Sequence, residues 1–293
     1  MQSHRSSEHD LVSITGVQIM IPKSLASQLI FEPADTYHAK SKENLSSHRL
    51  ADFRKCPLLY HWKLTGMAKD QDSSAYLIGR ATHTMILEGH QKFDEEYIVS
   101  DGPINPKTDK PFGSNTKAYA QWLNDQPNPI LTTKQAHEIE MMAEGVMSHP
   151  LAKQLLVLGT AESVVRTRWQ NVDCQIRIDW LSHMLGAGIV DLKTTNDLNH
   201  FEADARRFGY VHQLAFYRSI AAAAAMIDPR DLPVHLIAIE KSEPYRCGVW
   251  RMGEDVLAIA QRENEDAVKR LRHCRQSNIW PTGFEELRTF DWM

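Results

Sequence analysis

The chain has 293 residues, 42% of them hydrophobic and 24% charged, with a formal net charge of −4 and a pI near 6.4. That balance is ordinary for a globular protein, and the length suffices for one large domain or two small ones. No apolar run approaches the roughly 20 residues a membrane helix needs, and the four scattered cysteines contain no Cys-x-x-Cys, which argues against a zinc ribbon or an iron–sulfur cluster.

In chain order, Met1 to about residue 20 is polar and expected to fray. It lacks the apolar segment of a signal peptide, so the cytoplasm is the expected location. Ser46 or Ser47 can cap a helix with Leu50 and Phe53 on one face, and Cys56-Pro57 resets the backbone before a second short helix. Residues 75 to 89 read as a helix ending at Gly89, with Gly79 and His83 four apart on one face. Residues 100 to 117 form a loop carrying Lys107, Lys110 and Lys117 among prolines and glycines, either a solvated connector or a strand-contacting flap. Thr133 to Leu158 is a long helical stretch with a break at Pro150 and the Met141-Met142 pair filling core space.

The centre is β-rich: Glu162 to Trp169, Val172 to Leu181 and Leu185 to Thr194. In the second of these, Cys174, Ile176 and Ile178 alternate with Gln175, Arg177 and Asp179, so one face is apolar and the other polar. Phe208 to Met226 is a helix, Val234 to Glu240 a central strand, and Cys247 to Met252 a further strand. Glu254 to Gln276 is an amphipathic helix directing Val256, Ala260, Ala267 and Leu271 to the core. The aromatic tail, with Trp280, Phe284, Phe290 and Trp292, packs on its own domain or on a neighbour. Together these elements make a mixed α/β domain with a helical N-terminal elaboration.

Within Arg177 to Thr195, two strands joined by a glycine-containing turn carry Asp179 on one side and Asp191 with Lys193 on the other. Alternation points Asp191 and Lys193 the same way while Val190 and Leu192 enter a core. Two carboxylates beside one ammonium repel each other unless a divalent cation such as Mg²⁺ relieves the repulsion with hard oxygen ligands. Lys193 can then orient or deprotonate a water, which is apparatus for hydrolysing a phosphodiester. Gln213 and Tyr217 lie four apart on the next helix and share a face. A strand-end salt bridge is the plain alternative for Asp191 and Lys193. The chain contains no Gly-x-Gly-x-x-Gly, Gly-Lys-Ser/Thr, His-Glu-x-x-His or Gly-x-Ser-x-Gly, so nucleotide hydrolysis, nicotinamide, zinc-peptidase and serine-esterase chemistries lose ground.

These residues form part of a longer pattern: Ser-x-x-Leu-x-x-Phe-x-x-Cys-Pro at Ser47 to Pro57, Gly-Arg-Ala-x-His at Gly79 to His83, and Asn-Pro-Lys-Thr-x-Lys-Pro-x-Gly at Asn105 to Gly113. It continues with Arg-x-Asp at Arg177 to Asp179, Asp-Leu-Lys-Thr-Thr at Asp191 to Thr195, and Tyr-x-x-Gln-x-x-x-Tyr at Tyr210 to Tyr217. In order and spacing the chain resembles the PD-(D/E)XK nuclease superfamily, and within it the RecE-type (exonuclease VIII-like) 5′→3′ double-strand DNA exonucleases of phages and prophages. The resemblance implies a restriction-endonuclease-like α/β core, with a mixed central sheet flanked by helices. The expected division is an N-terminal arm over residues 1–44, partly flexible, and a single nuclease domain over 45–293 with its catalytic core at about 75–252.

It further implies that His83, Asp179, Asp191 and the Leu192 carbonyl ligate one or two Mg²⁺ ions, with Mn²⁺ as a substitute and Glu162 reaching a second ion. Lys193 acts on the attacking water, while Gln213 and Tyr217 complete the site. Arg166, Arg168, Arg177, Lys107 and Lys110 are the implied DNA contacts. The implied partners are double-stranded DNA ends and a single-strand annealing protein, with a ring-shaped trimer or tetramer and no membrane. A ring basic inside and acidic outside accommodates the acidic pI. An endonuclease or repair nuclease of the same superfamily, and a catalytically silent DNA-end-binding scaffold, are the alternatives.

Overall fold

The computed structural model describes residues 12–14, 17–19, 21–69 and 74–290. The expected fraying of the first 11 residues, and Trp292 of the tail, fall outside the described residues. Val12–Ile14 and Val17–Ile19 pair as a small antiparallel ribbon.

Two short helices open the family-like region. Ser46 caps α1 (Ser47–Lys55) by accepting the Arg49 N–H at 3.3 Å. The Cys56 sulfur takes the Leu59 N–H, and Pro57 occupies the first position of α2 (Pro57–Thr65), where its missing N–H costs nothing. Next, α3 (Ser74–His83) passes directly into a π-helical turn, Thr84–Glu88, before the chain turns at Gly89. The expected single helix thus changes winding immediately after His83. The expected loop at 100–117 contains a two-residue ribbon, Ile104–Asn105 against Lys110–Pro111. A reciprocal capping box, Thr132 with Gln135, starts α4 (Thr133–Ser148), and Pro150 begins α5 (Pro150–Leu156), so the break falls where the proline requires it.

The central sheet follows as β1 (Gly159–Trp169), β2 (Val172–Ser182) and β3 (Gly188–Thr195). Gln170 and Asn171, both at positive φ, make the two-residue hairpin turn between β1 and β2. The chain crosses through α6 (Phe201–Arg207) and α7 (Tyr210–Ala225) to β4 (Val234–Glu240), which pairs parallel to β3. It then returns antiparallel as β5 (Cys247–Arg251) before the long α8 (Glu254–Ser277). The order is β5-β4-β3-β2-β1. Only β3 to β4 needs a helical crossover, because parallel neighbours cannot be joined by a tight turn.

Every residue of β4 is buried, as a central strand covered on both faces requires. One core lies between the sheet and α1, α7 and α8, around Phe53, Ile176, Phe216 and Leu271. The other lies against α3 and α4, around Met85, Met142, Val190 and Leu192. On α8, Ala260, Ala267 and Leu271 enter the core as expected, but at the first turn Leu257 takes the core place expected of Val256, which is 47% exposed. Residues 21–44, expected to belong to an arm, lie on the sheet. Leu25 enters the first core, Ile30 bridges Val164, and Leu45 bridges Cys174.

Candidate metal centre

The alternation of β1 and β2 breaks at one position, and the site is built there. Ile176 and Ile178 on β2 enter the first core, as does Leu181, three residues on, while Trp180 packs into the second core. Strict period-two alternation would put Ile178 and Trp180 on one face, so the phase slips at Asp179. Directly across, Ala161 pairs with Trp180 and Ser163 with Ile178, and between them Glu162 adopts φ +51. A non-glycine residue in the left-handed region within a strand is rare, and such distortions re-aim side chains beside functional sites. Here the distortion turns Glu162 and Asp179 toward the same space.

The β2–β3 ladder ends at Trp180↔Val190. Beyond it, the Leu192 N–H donates to Asp179 Oδ2 at 3.0 Å, so the carboxylate fills the opening between the two strands. From the second-core side, α3 delivers His83, whose Nδ1 lies 3.5 Å from Asp179 Oδ2. Ligand atoms of His83, Glu162 and Asp179 all lie within 4.8 Å of one another. From the first-core side, α7 delivers Gln213, whose amide Nε2 lies 3.4 Å from Asp191 Oδ1 and donates to the Tyr217 hydroxyl at 3.1 Å. Asp191, its side chain 1% exposed, meets Lys193 Nζ at 2.5 Å, and that ammonium stands 5.0 Å from the centre of the Tyr210 ring. Arg177 Nε pairs with Glu162 Oε2 at 2.7 Å.

Burial dominates the electrostatics. It raises the Glu162 carboxyl to about 8, with the Asp179 charge adding and Arg177 opposing. It raises Asp191 to about 6, against the pull of Lys193, and it raises Asp179 as well. Burial, then repulsion from Lys193, lowers His83 to about 4, leaving the imidazole neutral with a lone pair to offer at neutral pH. Burial works against the Lys193 ammonium, but Asp191 and Asp179 outweigh it and its pKa rises. Burial and the same two charges push the Tyr217 phenol up, so it remains a hydrogen-bond donor.

This donor set suits a divalent cation. Carboxylate oxygens are hard ligands, a neutral imidazole is compatible with Mg²⁺ or Mn²⁺ chemistry, and acids raised chiefly by burial are ones whose ionised form a cation would stabilise. Among the described residues, the ligand atoms of His83, Glu162 and Asp179 lie close enough together that they could hold a metal ion.

Of the residues singled out in the sequence, the structure gathers His83, Glu162, Asp179, Asp191, the Leu192 backbone, Lys193, Gln213 and Tyr217, with Arg177 at the edge. It does not gather Arg166, which is bound by Glu32 and donates to Gln175 at 3.1 Å. Arg168 is exposed near the β1–β2 turn, opposite Asp173. Lys107 and Lys110 lie exposed on the small ribbon. Two features were missed. Tyr210, three residues before Gln213 and hence on its face, was readable as the ring beside Lys193. The Arg177–Glu162 pair was not, because it depends on a left-handed residue that nothing local announces.

Residues 46–291 match the family described as a PDDEXK-like domain of unknown function (DUF3799). No curated protein matches the sequence. Among solved structures, the chain is similar to a crystallised "putative exonuclease" from Eubacterium rectale. The TM-score is 0.63 at 16% identity, over 90% of this chain and 97% of that one. At that identity the likeness speaks to the fold. No helix among the described residues is long and apolar enough to cross a membrane.

Proposed function

The chain belongs to the family of PDDEXK-like domains (DUF3799), and on that premise we propose that it is a Mg²⁺-dependent 5′→3′ exodeoxyribonuclease. In this reading it digests one strand of linear double-stranded DNA and leaves 3′ single strands for annealing. The observation that carries the reading is the convergence of His83, Glu162 and Asp179 ligand atoms within 4.8 Å, beside a lysine held 2.5 Å from Asp191. A strand-end salt bridge alone would need neither the imidazole nor the second and third acids.

His83, Asp179, Asp191 and the Leu192 carbonyl would hold one ion, with Glu162 completing the shell or reaching a second; Mn²⁺ should replace Mg²⁺. Such an ion supplies positive charge against the scissile phosphate and makes water at the site more acidic. Lys193 keeps its proton while Asp179 and Asp191 face it. With those carboxylates turned to a cation the amine loses that support, and it is then the group placed to take the proton of the attacking water. Gln213 fixes Asp191 and Tyr217 relative to each other. Arg177, paired with Glu162 at 2.7 Å, would be freed to meet a phosphate oxygen were Glu162 to serve the cation.

The 5′→3′ polarity, a ring-shaped trimer or tetramer around DNA, and transfer of the 3′ strand to an annealing protein rest on the resemblance to RecE-type exonucleases. The test is digestion of end-labelled linear duplex, with and without a 5′-phosphate, beside a supercoiled circle. Linear DNA should be shortened from 5′ ends in Mg²⁺ while the circle survives. Nicking of the circle would make the protein an endonuclease instead. Asp191→Ala and Lys193→Ala should each lose at least about 10²-fold in rate while still melting cooperatively as a folded protein, at a lowered midpoint because the remaining partner of the buried pair is left uncompensated. Cleavage in excess chelator, or wild-type rates in either variant, would overturn the metal mechanism.

A further inference from the structure

Two clefts among the described residues lie apart from the carboxylate site. The smaller, about 440 Å³, lies beside His149 and Tyr245 and has mixed polarity. The larger, about 680 Å³, lies where the C-terminal end of α1, the α8 face and the C-terminal tail meet. Its lining carries Arg54 and Lys55 from α1, Lys269, Arg270 and His273 from α8, and Arg288 from the tail, with no carboxylate among the lining residues. On a chain of net charge −4, five cations around one cavity run against the whole-molecule balance.

The tail that forms the outer wall is fastened to the body. Trp280 stacks on His61 with ring centres 4.5 Å apart, and the Leu58 N–H donates to the Pro281 carbonyl at 3.1 Å. Beyond it, Arg288 lies over the Phe284 ring at 4.1 Å and donates to the Gly283 carbonyl at 2.7 Å. Phe284 is 72% exposed, so this is a solvent-facing ring with a cation against it rather than a core contact. Acids lie near this cavity but not in its lining: Glu263 acts on Arg54 while itself pairing with His212, and Glu265 and Asp266 act on Lys269. Asp266 pairs with Lys269 at 2.9 Å, but both side chains are more than 60% exposed, and such a pair contributes little and yields readily. Both Glu285 oxygens are engaged by the Thr282 and Gly283 N–H groups.

A short path links this cavity to the metal centre. An Arg54 guanidinium nitrogen lies 3.6 Å from where a Cβ on Gly209 would stand. The next residue, Tyr210, is the ring beside Lys193. Phe208, exposed at 55%, has its ring centre 5.9 Å from that of Tyr210, and the Arg207 guanidinium lies 5.2 Å from the Phe208 ring centre. Exposed aromatic rings alternating with cations form the surface on which single-stranded nucleic acid lies, bases on rings and phosphates on Lys and Arg.

We propose that the cavity between α1, α8 and the C-terminal tail is a second, non-catalytic nucleic-acid site. It grips the phosphates of a single strand that continues from the metal centre past Phe208. The inference rests on the nuclease reading for the strand's origin, but the site's existence does not require catalysis.

The test is binding of fluorescent oligo-dT to the full chain in EDTA, which removes hydrolysis, followed by anisotropy across a salt series. Lys269→Ala/Arg270→Ala changes two exposed residues on a helix to a good helix former, so the melting profile should stay that of the wild type. The double variant should bind at least about ten-fold more weakly and show a salt slope shallower by about 1.4, since two phosphate contacts on a single strand are lost. Phe284→Ala should weaken oligo-dT more than it weakens inorganic phosphate. Mg²⁺-dependent hydrolysis of bis-p-nitrophenyl phosphate, which is too small to span both places, should be unchanged in both variants. Unaltered oligo-dT affinity and slope in the double variant would overturn the site even if the enzyme is an active nuclease. Conversely, loss of binding in a protein with no nuclease activity would retain the site and remove the reading of its neighbour. Displacement of oligo-dT by dAMP at equal nucleotide concentration would assign the cavity to free nucleotides. Equal displacement by poly-glutamate would assign it to acidic protein segments. Either result would overturn the strand proposal.

Discussion

Glu162 stands at φ +51 within a strand, a backbone state that costs an L-residue roughly 1–2 kcal/mol. Its carboxyl is raised from the ordinary 4.5 to about 8, first by burial and then by Asp179. The folded, metal-free protein therefore holds a proton that the unfolded chain releases. That contribution favours the fold below about pH 4.5 and is lost as pH rises to about 8. Glu162→Gln keeps an oxygen for Arg177 and carries no such loss. Its melting temperature should climb relative to wild type between pH 5 and 8 in EDTA, by about 2–4 °C for each kcal/mol gained. Parallel pH profiles of the two proteins by scanning fluorimetry would refute the assignment. At this scale Asp191 and Lys193 were legible, since alternation alone puts them together with Val190 and Leu192 opposed. The Tyr210 ring beside Lys193 and the distorted backbone of Glu162 were missed. Left-handed single residues are usually glycine or asparagine, and a glutamate gives no sign of one.

The strand that carries Asp191 and Lys193 begins at Gly188, which has φ +62, and a Cβ there would fall 2.3 Å from the Pro233 carbonyl oxygen. Gly188→Ala should lower the urea midpoint by the equivalent of about 2–3 kcal/mol at an unchanged m-value, because the start of β3 must move away from β4. A midpoint within error of wild type would show that the turn absorbs the methyl group. Arg166 illustrates the other direction of influence. Expected as a DNA contact, it instead joins β1 to the N-terminal segment through Glu32, which also holds Lys40 at 2.8 Å. Arg166→Ala should therefore cost on the order of 1–3 kcal/mol of stability and leave DNA affinity per folded molecule unchanged. A selective loss of affinity at constant stability would restore it to the DNA surface. Periodicity and breakers placed most elements: Pro150, the β1–β2 turn and β4 lie where the sequence puts them. The π-helical turn after His83 and the burial of Leu257 in place of Val256 were not legible, because both are settled by packing against other elements. Residues separated by 134 positions, as Glu32 and Arg166 are, leave no local mark of their pairing.

Across the whole molecule, two cores clamp the five-stranded sheet, and the candidate metal centre lies where that sheet opens between β2 and β3. His83 reaches it from one face, and Gln213 and Tyr217 from the other. The mixed sheet was readable from short turns flanked by strands and one helical crossover; the docking of residues 21–44 onto β1 and β2 was not, since their polar composition resembles a connector. On the proposed reading, folding so many ionisable groups into one place makes global stability depend jointly on protons and divalent cations. Glu162 and Asp191 titrate in the folded state at about 8 and about 6, so below those values a cation must displace bound protons before it can be held. A ligand that binds only the native state raises stability by RT ln(1 + [L]/Kd), and Kd here weakens as pH falls. About 5 mM Mg²⁺ or Mn²⁺ should thus raise the melting temperature clearly at about pH 8 and scarcely at about pH 5. Calcium should act in the same direction without supporting turnover. Asp179→Asn should abolish the metal-induced shift while keeping a cooperative transition, because Asn retains an acceptor for the Leu192 N–H but loses the charge. A metal-induced shift of equal size at both pH values, or one that survives Asp179→Asn, would place the cation elsewhere on the protein and separate these acids from metal binding.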